Sequence, residues 1–517
     1  MTYTRGVYIS FKKKLNTRYG INHEGLDLYE NSGSVLDADC ALYVQYKYES
    51  RDPNCDDRGR LIENTLAMAR KRRRAAEATE RRTNRAGMTA LSLCLTKHLA
   101  PAADGDDGGG AAANIAFSPA SIYAALALLA AGAGGGTLRE LLDALGGESR
   151  DDLAVFARSV AEGALADRSR AGGPALAFAC GAWHDAAWTT RPEFRGAAAV
   201  AFNAETSAVD FSHEPEKAID EINGCVAAAT NKRISSIVDA TSVNNLTRLV
   251  IASAIYFKGK WEAPFAKSHT TVGKFHRLDG SAANVPLMRS SRSQLVAVRN
   301  GYKVLKLPYK SPAYPPPQPR RKGRRLTSQK KAGDEKGSDE GAGEELPKYS
   351  MCIFLPDERD GLAGLVEKLG SGAGFWHYRL PADRVPVRDF RLPKFKLSAS
   401  GSLKQVLRED MGINAAFVPG DTDMSDMAER KEDEGEDGTP LHVGDVCHKA
   451  VLEVNEEGTR TMAATGSAML CGVNAVMEQQ ETVDFVADHP FVFFVIEEVS
   501  RAIVLVGRVL DPSVSGL

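Results

Sequence analysis

Residues able to do chemistry are abundant in this chain, but their spacing does not build a catalytic or metal centre. The serine of an α/β-type hydrolase sits on a tight turn with the pattern GxSxG, and the chain contains no such motif. Its eight cysteines lie at positions 40, 55, 94, 180, 225, 352, 447 and 471. None of them has CxxC or other zinc-type spacing, so the pattern favours free thiols in a reducing compartment. The sequence therefore predicts no catalytic residue, no metal ion and no cofactor.

One stretch, EVNEEGTRTMAATGSAMLCG at 453–472, has an unusual composition. Residues 448–454 alternate like a strand, and residues 484–498 end in a continuous apolar run that also predicts a strand. The connection between them has no helical stripe and no hairpin turn signal, and residues 458–466 are mostly Gly, Thr and Ala. A long loop in a compact domain is usually functional or disordered. Side chains this small would let the segment stay outside the fold or enter between two strands without clashing.

Length and charge limit the remaining possibilities. The chain has 517 residues and a formal net charge of -2, so it can bury a large core and carries no overall nucleic-acid signature. Two basic runs, Arg70–Arg85 and Arg320–Arg325, are interpreted as solvated segments, with a nuclear signal or an anion-binding patch as the alternative. No secretory signal is visible, so we expect a cytoplasmic or nucleocytoplasmic protein. The apolar run at 115–134 contains serines, a proline and glycines, which favours a buried helix over a membrane span.

The elements that must position the 453–472 stretch can be read from periodicity. Leu91, Leu95 and Leu99 predict an amphipathic helix. Ser118 is a candidate N-cap of the next helix, and Thr137 is expected to cap a third helix in a capping box with Glu140. Further segments read as strands at 175–186, 206–211, 248–261 and 301–309, with a helix at 216–231. Strands and helices that do not strictly alternate predict a mixed α/β (α+β) fold rather than a doubly wound parallel sheet.

Three segments look additional to this fold. Residues 1–87 are predicted to be an N-terminal extension, and residues 88–513 the main domain. Residues 311–347 form a low-complexity insertion that is proline-rich, then basic, then acidic and glycine-rich. Residues 428–440 contain a second, acidic insertion.

Five segments, in this order, resemble the serpin family, and the plant-type serpins in particular: FSPASIYAALALLAAGAGGGTLRELLDALG, RLVIASAIYFKGKW, LPKFKL, HKAVLEVNEEGT and DFVADHPFVFFVIEE. The resemblance covers roughly residues 88–513. It implies about nine helices around three β-sheets, with an exposed reactive-centre loop at 456–482. In inhibitory serpins a protease cleaves this loop, and the loop then inserts into the central sheet while the protease is still attached.

The resemblance implies that Glu456 begins the hinge of this loop. The hinge then comprises Glu456, Glu457, Gly458, Thr459, Arg460, Thr461, Met462, Ala463, Ala464 and Thr465. On insertion, Thr459, Thr461, Ala463 and Thr465 would face the sheet interior, and all four are small, whereas Arg460 and Met462 would face outward. Inhibitory relatives usually carry alanine at Thr461 and Met462 and commonly an acid at Arg460. No proline or inward-facing charge blocks insertion.

The same count places the scissile bond at Gly472–Val473, and a one-residue slip would place it at Cys471–Gly472. Both candidate residues are small, which disfavours a trypsin-like target and favours a protease with a small primary pocket. The resemblance also implies that His448, Ser253 and Trp261 lie in the central sheet, where the sheet opens. Relatives have asparagine at the position of Ser253. Because a hydroxyl is shorter and offers fewer donors than an amide, we expect a weaker hydrogen bond or a water-bridged link to His448.

The resulting interpretation is a protein that inhibits serine-type, or papain-like cysteine, proteases as a suicide substrate and is not itself an enzyme. The alternative is a serpin-fold binding or chaperone-like protein with a degraded hinge. A third hypothesis is a nuclear protein that contacts nucleic acid through its basic runs. The expected partner is a target protease; nucleic acid and membrane are not expected partners, and the expected state is monomeric.

Overall fold

The computed structural model describes residues 84–99, 113–312, 346–371, 380–431, 439–457 and 482–514. All of these belong to one compact unit, Glu80–Leu517. Most of the predicted N-terminal extension and of the 311–347 insertion, and the loop from Gly458 to Glu481, lie outside the described residues.

The described residues contain eight α-helices. They are α1 (84–97), α2 (Pro119–Gly132), α3 (Gly135–Leu145), α4 (Arg150–Glu162), α5 (Pro192–Phe202), α6 (Pro215–Ala229), α7 (Leu362–Gly370) and α8 (Lys404–Glu409). The leucine stripe predicted for the first helix is confirmed, because Leu91, Leu95 and Leu99 are fully or almost fully buried.

The strands form three large sheets and one small ribbon. The seven-stranded sheet has the order β1 (Ile115–Phe117), β18 (Ala502–Val509), β17 (Phe491–Glu497), β10 (Tyr349–Pro356), β9 (Tyr302–Pro308), β8 (Gln294–Arg299) and β11 (Arg384–Val385). The five-stranded sheet has the order β13 (Phe395–Ser402), β15 (Val443–Val454), β5 (Leu249–Lys258), β2 (Ala175–Asp185) and β4 (Glu205–Val209). The four-stranded sheet has the order β16 (Val483–Val486), β12 (Val387–Pro393), β7 (Ala282–Arg289) and β6 (Thr271–His276). Strands β14 (Ala428–Arg430) and β3 (Trp188–Thr190) pair on their own. This architecture confirms the predicted mixed α/β class.

Helix α2 lies at the centre of the core. It has no charged residue, and all of its residues except Ala131 are buried. Ser118 caps its N-terminus, as predicted, by accepting a hydrogen bond from the backbone N–H of Ser121, and Pro119 occupies the first turn, where its missing N–H costs nothing. Among the described residues no helix is long and apolar enough to cross a membrane.

The capping box predicted for α3 is wrong. The helix begins at Gly135 after Gly134, and no side chain caps it. Thr137 instead accepts a hydrogen bond from the backbone of Asp423, and Glu140 accepts two from the backbone of Asn414 and Ala415. The local spacing was suitable for a cap, but a distant segment supplies donors that compete for the same oxygens.

Two predicted boundaries also differ from the observed elements. Helix α1 begins at residue 84, inside the segment assigned to the N-terminal extension, because the Asn84 side chain is buried and its amide donates to the backbone of Asp152. The acidic segment predicted at 428–440 begins with strand β14, and its residues 432–438 lie outside the described residues.

Two strands of the five-stranded sheet, β5 and β15, lie at the root of the predicted loop. Strands β5 and β15 run parallel, side by side, from Val446 opposite Ile251 to Leu452 opposite Phe257. One face of this pair packs on the core that includes α2, and the other face packs beneath α6. Strand β15 ends at Val454, directly before the predicted hinge.

Candidate functional site

The site is the place where β15 leaves the five-stranded sheet. The chain continues through Glu456 and Glu457 and is next described at Thr482, just before β16 of a different sheet. Hinge residues Gly458 to Thr465 and both candidate scissile bonds, Gly472–Val473 and Cys471–Gly472, lie outside the described residues. The described part therefore gives the anchor of the loop and the sheet beside it.

Glu456 is fixed where the hinge begins. Glu456 is 5 % exposed. Its carboxylate pairs with Lys394 at 3.0 Å and accepts a hydrogen bond from the Thr270 hydroxyl at 2.8 Å. Its backbone oxygen accepts from the N–H of Phe265. Burial alone would raise the pKa of Glu456, but hydrogen bonds from its own backbone, Lys394 and Thr270 lower it. The hinge thus starts from a charged, fully bonded residue.

Trp261 holds the residue before the hinge. Its indole N–H donates to the backbone oxygen of Asn455 at 2.7 Å. Its ring stacks on Tyr309, with ring centroids 4.5 Å apart and an angle of 10° between the planes. The Tyr309 side chain is buried in turn, and burial raises its pKa well above the ordinary value. The aromatic pair forms a rigid support from which the loop departs.

A second ion pair links the two parallel strands just below the hinge. Lys258, at the end of β5, donates to Glu453 of β15 at 2.5 Å, and the Tyr256 hydroxyl donates to the same carboxylate at 3.2 Å. Burial raises the pKa of Glu453, but the stronger combined effect of Lys258 and Tyr256 lowers it. Any separation of β5 from β15 must break this contact.

His448 lies in the middle of the same strand pair, in register with Ser253. It is 2 % exposed, and its Nε2 accepts a hydrogen bond from the backbone N–H of Ser118, the N-cap of α2, at 3.0 Å. Because Nε2 is an acceptor, the neutral ring carries its proton on Nδ1. Nδ1 has no partner in hydrogen-bond geometry among the described residues. Burial lowers the pKa of His448 to about 4, with the nearby Ser253 backbone acting in the opposite direction.

Ser253 does not use its hydroxyl on His448. The hydroxyl donates to Ser121 of α2 at 3.0 Å, and Ser121 in turn donates to the backbone oxygen of Ser118. Both β5 and β15 are therefore tied to the start of the same helix, each by its own polar contact. Among the described residues the Ser253 hydroxyl makes no hydrogen bond to His448, because it is bonded to Ser121 of α2. The weaker or water-bridged link expected from the sequence stays a prediction.

The sequence identified Ser253, His448, Trp261, Glu456 and Glu457, and the structure places all five along the β5–β15 pair or at its end. It missed the partners that hold them, namely Ser118, Ser121, Lys258, Lys394 and Glu453. Several of these partner residues belong to the five motifs, but the contacts they make join segments far apart in the sequence. The basic run at 320–325, and that at 70–85 apart from its last two residues, lie outside the described residues.

The polar contacts of this site support the root of the loop. Its buried histidine is neutral and bonded to a helix cap, and no nucleophile of the described residues is activated beside it. The described contacts hold β15 beside β5 and fix Glu456 at the start of the hinge.

Comparison with known proteins agrees with this geometry. The family model described as "Serpin (serine protease inhibitor)" matches residues 87–314 and 345–512. The chain is 47 % identical to "Putative serpin-Z8" of Oryza sativa subsp. japonica over 84 % of this chain and 99 % of that protein. It is 33 % identical to "Serpin-ZX" of Arabidopsis thaliana over 82 % and 96 %.

A solved structure has the same fold. The native stressed conformation of Arabidopsis AtSerpin1 superposes with a TM-score of 0.69 at 32 % identity, covering 83 % of this chain and 99 % of that one. Serpins are in general protease inhibitors and not catalytic enzymes. The chain belongs to the serpin family, and plant serpin-Z proteins are among its relatives.

Proposed function

We propose that this chain inhibits serine proteases, or papain-like cysteine proteases, that accept a small residue at the scissile bond, and that it does so as a suicide substrate. The observation that carries the proposal is the direct parallel pairing of β5 and β15 at the root of the loop. A segment that follows β15 can turn back and run antiparallel to both strands without any crossover connection.

The strand directions favour such an insertion energetically. Entry of the segment replaces one parallel ladder by two antiparallel ladders, and antiparallel pairing is slightly more stable per residue. Each net backbone hydrogen bond contributes about 0.5–1.5 kcal/mol. Against this stand the ion pair of Lys258 with Glu453 and the contacts of Ser253 and His448 with α2, which must yield as the strands part.

The core-facing side of the entering strand would meet packed side chains. The core side of β5 and β15 is lined by Ile251, Ile255 and Ala450, which leaves room for small side chains only. This matches the small residues at Thr459, Thr461, Ala463 and Thr465. Arg460 and Met462 would lie on the opposite face of the sheet, near the ends of β5 and β15, where Lys258 and Glu453 are partly exposed.

The chemistry is supplied by the target. Its nucleophile attacks the carbonyl of Gly472, or of Cys471, and the new amine leaves on the next residue, so the first product is an acyl-enzyme. Insertion of about 15 residues at ~3.3 Å each carries the attached protease some 50 Å from its starting position. Inhibition results when this movement is faster than hydrolysis of the acyl-enzyme.

The test is incubation of the full chain with elastase-like, papain-like and trypsin-like proteases, followed by denaturing electrophoresis and thermal unfolding. We expect a denaturation-stable complex with an elastase-like or papain-like enzyme, and a large rise in the unfolding temperature of the cleaved chain. Cleavage within 458–481 with neither complex nor added heat stability would overturn the proposal and support a serpin-fold binding protein. A matched variant, Thr461→Arg, places a charge on the inward face and should turn the inhibitor into a plain substrate.

A further inference from the structure

Three potential metal ligands that belong to no part of the site described above meet near the surface. Cys94 and His98 lie near the C-terminal end of α1, and Asp410 directly follows α8. One donor atom from each residue lies within 4.8 Å of the other two. His98 Nε2 and the Asp410 carboxylate are already 2.9 Å apart.

The fold brings these side chains together for reasons that are independent of any metal. The buried leucines of α1 fix its rotation, and residues 94 and 98 then share one neighbouring stripe because they are four positions apart. The end of the helix is held by Arg508, which donates to the backbone oxygen of Leu99 at 2.8 Å. On the other side, the backbone N–H of Asp410 bonds to Val406. Both sides of the cluster are therefore anchored.

From this juxtaposition we infer that Cys94, His98 and Asp410 form a binding site for Zn²⁺. Thiolate, imidazole and carboxylate are the three ligand types that zinc takes in proteins, and a tetrahedral ion with bonds of about 2.0–2.3 Å needs donors about 3.5 Å apart. The present spacing requires shifts of about 1 Å, within the reach of side-chain rotation. Three protein ligands leave the fourth position to water. Calcium and magnesium prefer oxygen ligands and would not use the thiol.

Access from solvent is compatible with binding, whereas the proton on the thiol must be displaced. Cys94 is half-buried, while the side chains of His98 and Asp410 are 37 % and 45 % exposed, so an ion can enter from solvent. On binding, the thiol proton goes to solvent, and the contact between His98 and Asp410 is replaced by one bond from each to the metal. Burial, followed by the charge of Asp410, raises the pKa of Cys94 to about 11. Zinc therefore competes with a proton at neutral pH.

A simpler interpretation is that His98 and Asp410 form only a surface ion pair, and a second pair in the chain serves as a control for it. His213 and Asp210 form such a pair at 3.0 Å, and they belong to no cluster of three metal-ligand side chains among the described residues. Cys225 is a second partly exposed cysteine, and it too belongs to no such cluster there. The convergence of all three ligand types distinguishes the proposed site. A bound ion would join two segments that are 312 residues apart in the sequence.

The experiment uses the full chain under reducing conditions, with Zn²⁺ affinity measured by competition with a chromophoric chelator and Co²⁺ as a spectroscopic substitute. The wild type should show a thiolate-to-cobalt charge-transfer band. C94S should lose that band, and C94S, H98Q and D410N should each lower zinc affinity by on the order of tenfold or more. The control variants C225S and H213Q should keep both the band and the affinity.

Two results would overturn the inference. One is zinc affinity in C94S equal to that of the wild type. The other is an unchanged affinity in both H98Q and D410N, which would reduce the site to a single reactive thiol. Because the Asp410 side chain is 45 % exposed, we expect D410N to keep the fold, which keeps the test valid if C94S is poorly stable. A chelator should lower the unfolding temperature of zinc-loaded wild type and leave that of D410N unchanged.

Discussion

Acid should loosen the five-stranded sheet through His448. The pKa of this buried ring falls from 6.5 to about 4 on folding. Between these values the unfolded chain binds a proton that the folded chain does not, so stability is lost as the pH falls through this window. The full effect is about 3 kcal/mol below pH 4, and about 2 kcal/mol of it appears between pH 7 and pH 5.

The matched variant is His448→Gln, which does not titrate but retains an oxygen able to accept from the Ser118 N–H. Urea unfolding of the native state at pH 7 and pH 5, followed by tryptophan fluorescence, gives the pH effect for each protein. Subtracting the two effects removes the contributions of the carboxylates and of His184, whose pKa is also lowered by burial. We expect the wild type to lose about 2 kcal/mol more than the variant. An equal loss in both would refute the assignment of the acid sensitivity to His448.

Three further predictions concern the same strand pair. Thr461→Ala should raise the fraction of protease encounters that end in a stable complex, because it removes a hydroxyl that insertion would bury; an unchanged stoichiometry on titration with protease would contradict this. Lys258→Met should lower the native unfolding free energy by about 1 kcal/mol and speed incorporation of an added peptide copying residues 456–469, because Glu453 loses its ion pair between β5 and β15. Equal rates of peptide binding in the two proteins would show that the ion pair does not restrain sheet opening. Ser253→Asn should raise the unfolding free energy by about 1 kcal/mol, because an amide oxygen can accept a hydrogen bond from His448 Nδ1, which has no partner among the described residues. Thermal unfolding of both proteins tests this, and an unchanged stability would show that the amide does not reach the ring.

The sequence predicted most elements because their periodicity is local. The strand that carries Ser253, the buried helix after Ser118 and the leucine stripe of α1 all follow from patterns within a few residues. The hinge position came from the order of five motifs rather than from any single one. The failures arose where distant segments meet. Thr137 accepts a hydrogen bond from the backbone of Asp423, far along the chain, and the bond of Ser253 to Ser121 of α2 could not be read from local spacing.

The proposed zinc ligands also show that contacts between distant segments cannot be predicted from local spacing. Cys94 and His98 are visible as a helical pair in the sequence, but Asp410 joins them only in the fold, where its carboxylate lies 2.9 Å from His98. No spacing rule covers ligands so far apart.

The order of the seven-stranded sheet has a consequence for how this protein is made. The last two described strands, β17 and β18, lie between β10 and β1, so the earliest described strand pairs only with the latest described one. Asn114 and Asp511 join the same two ends by hydrogen bonds. During synthesis, β1 and β10 cannot gain these neighbours until residues 491–509 have left the ribosome, so this sheet is completed late. Deletion of 502–517 should therefore yield an aggregating product rather than a slightly weakened fold.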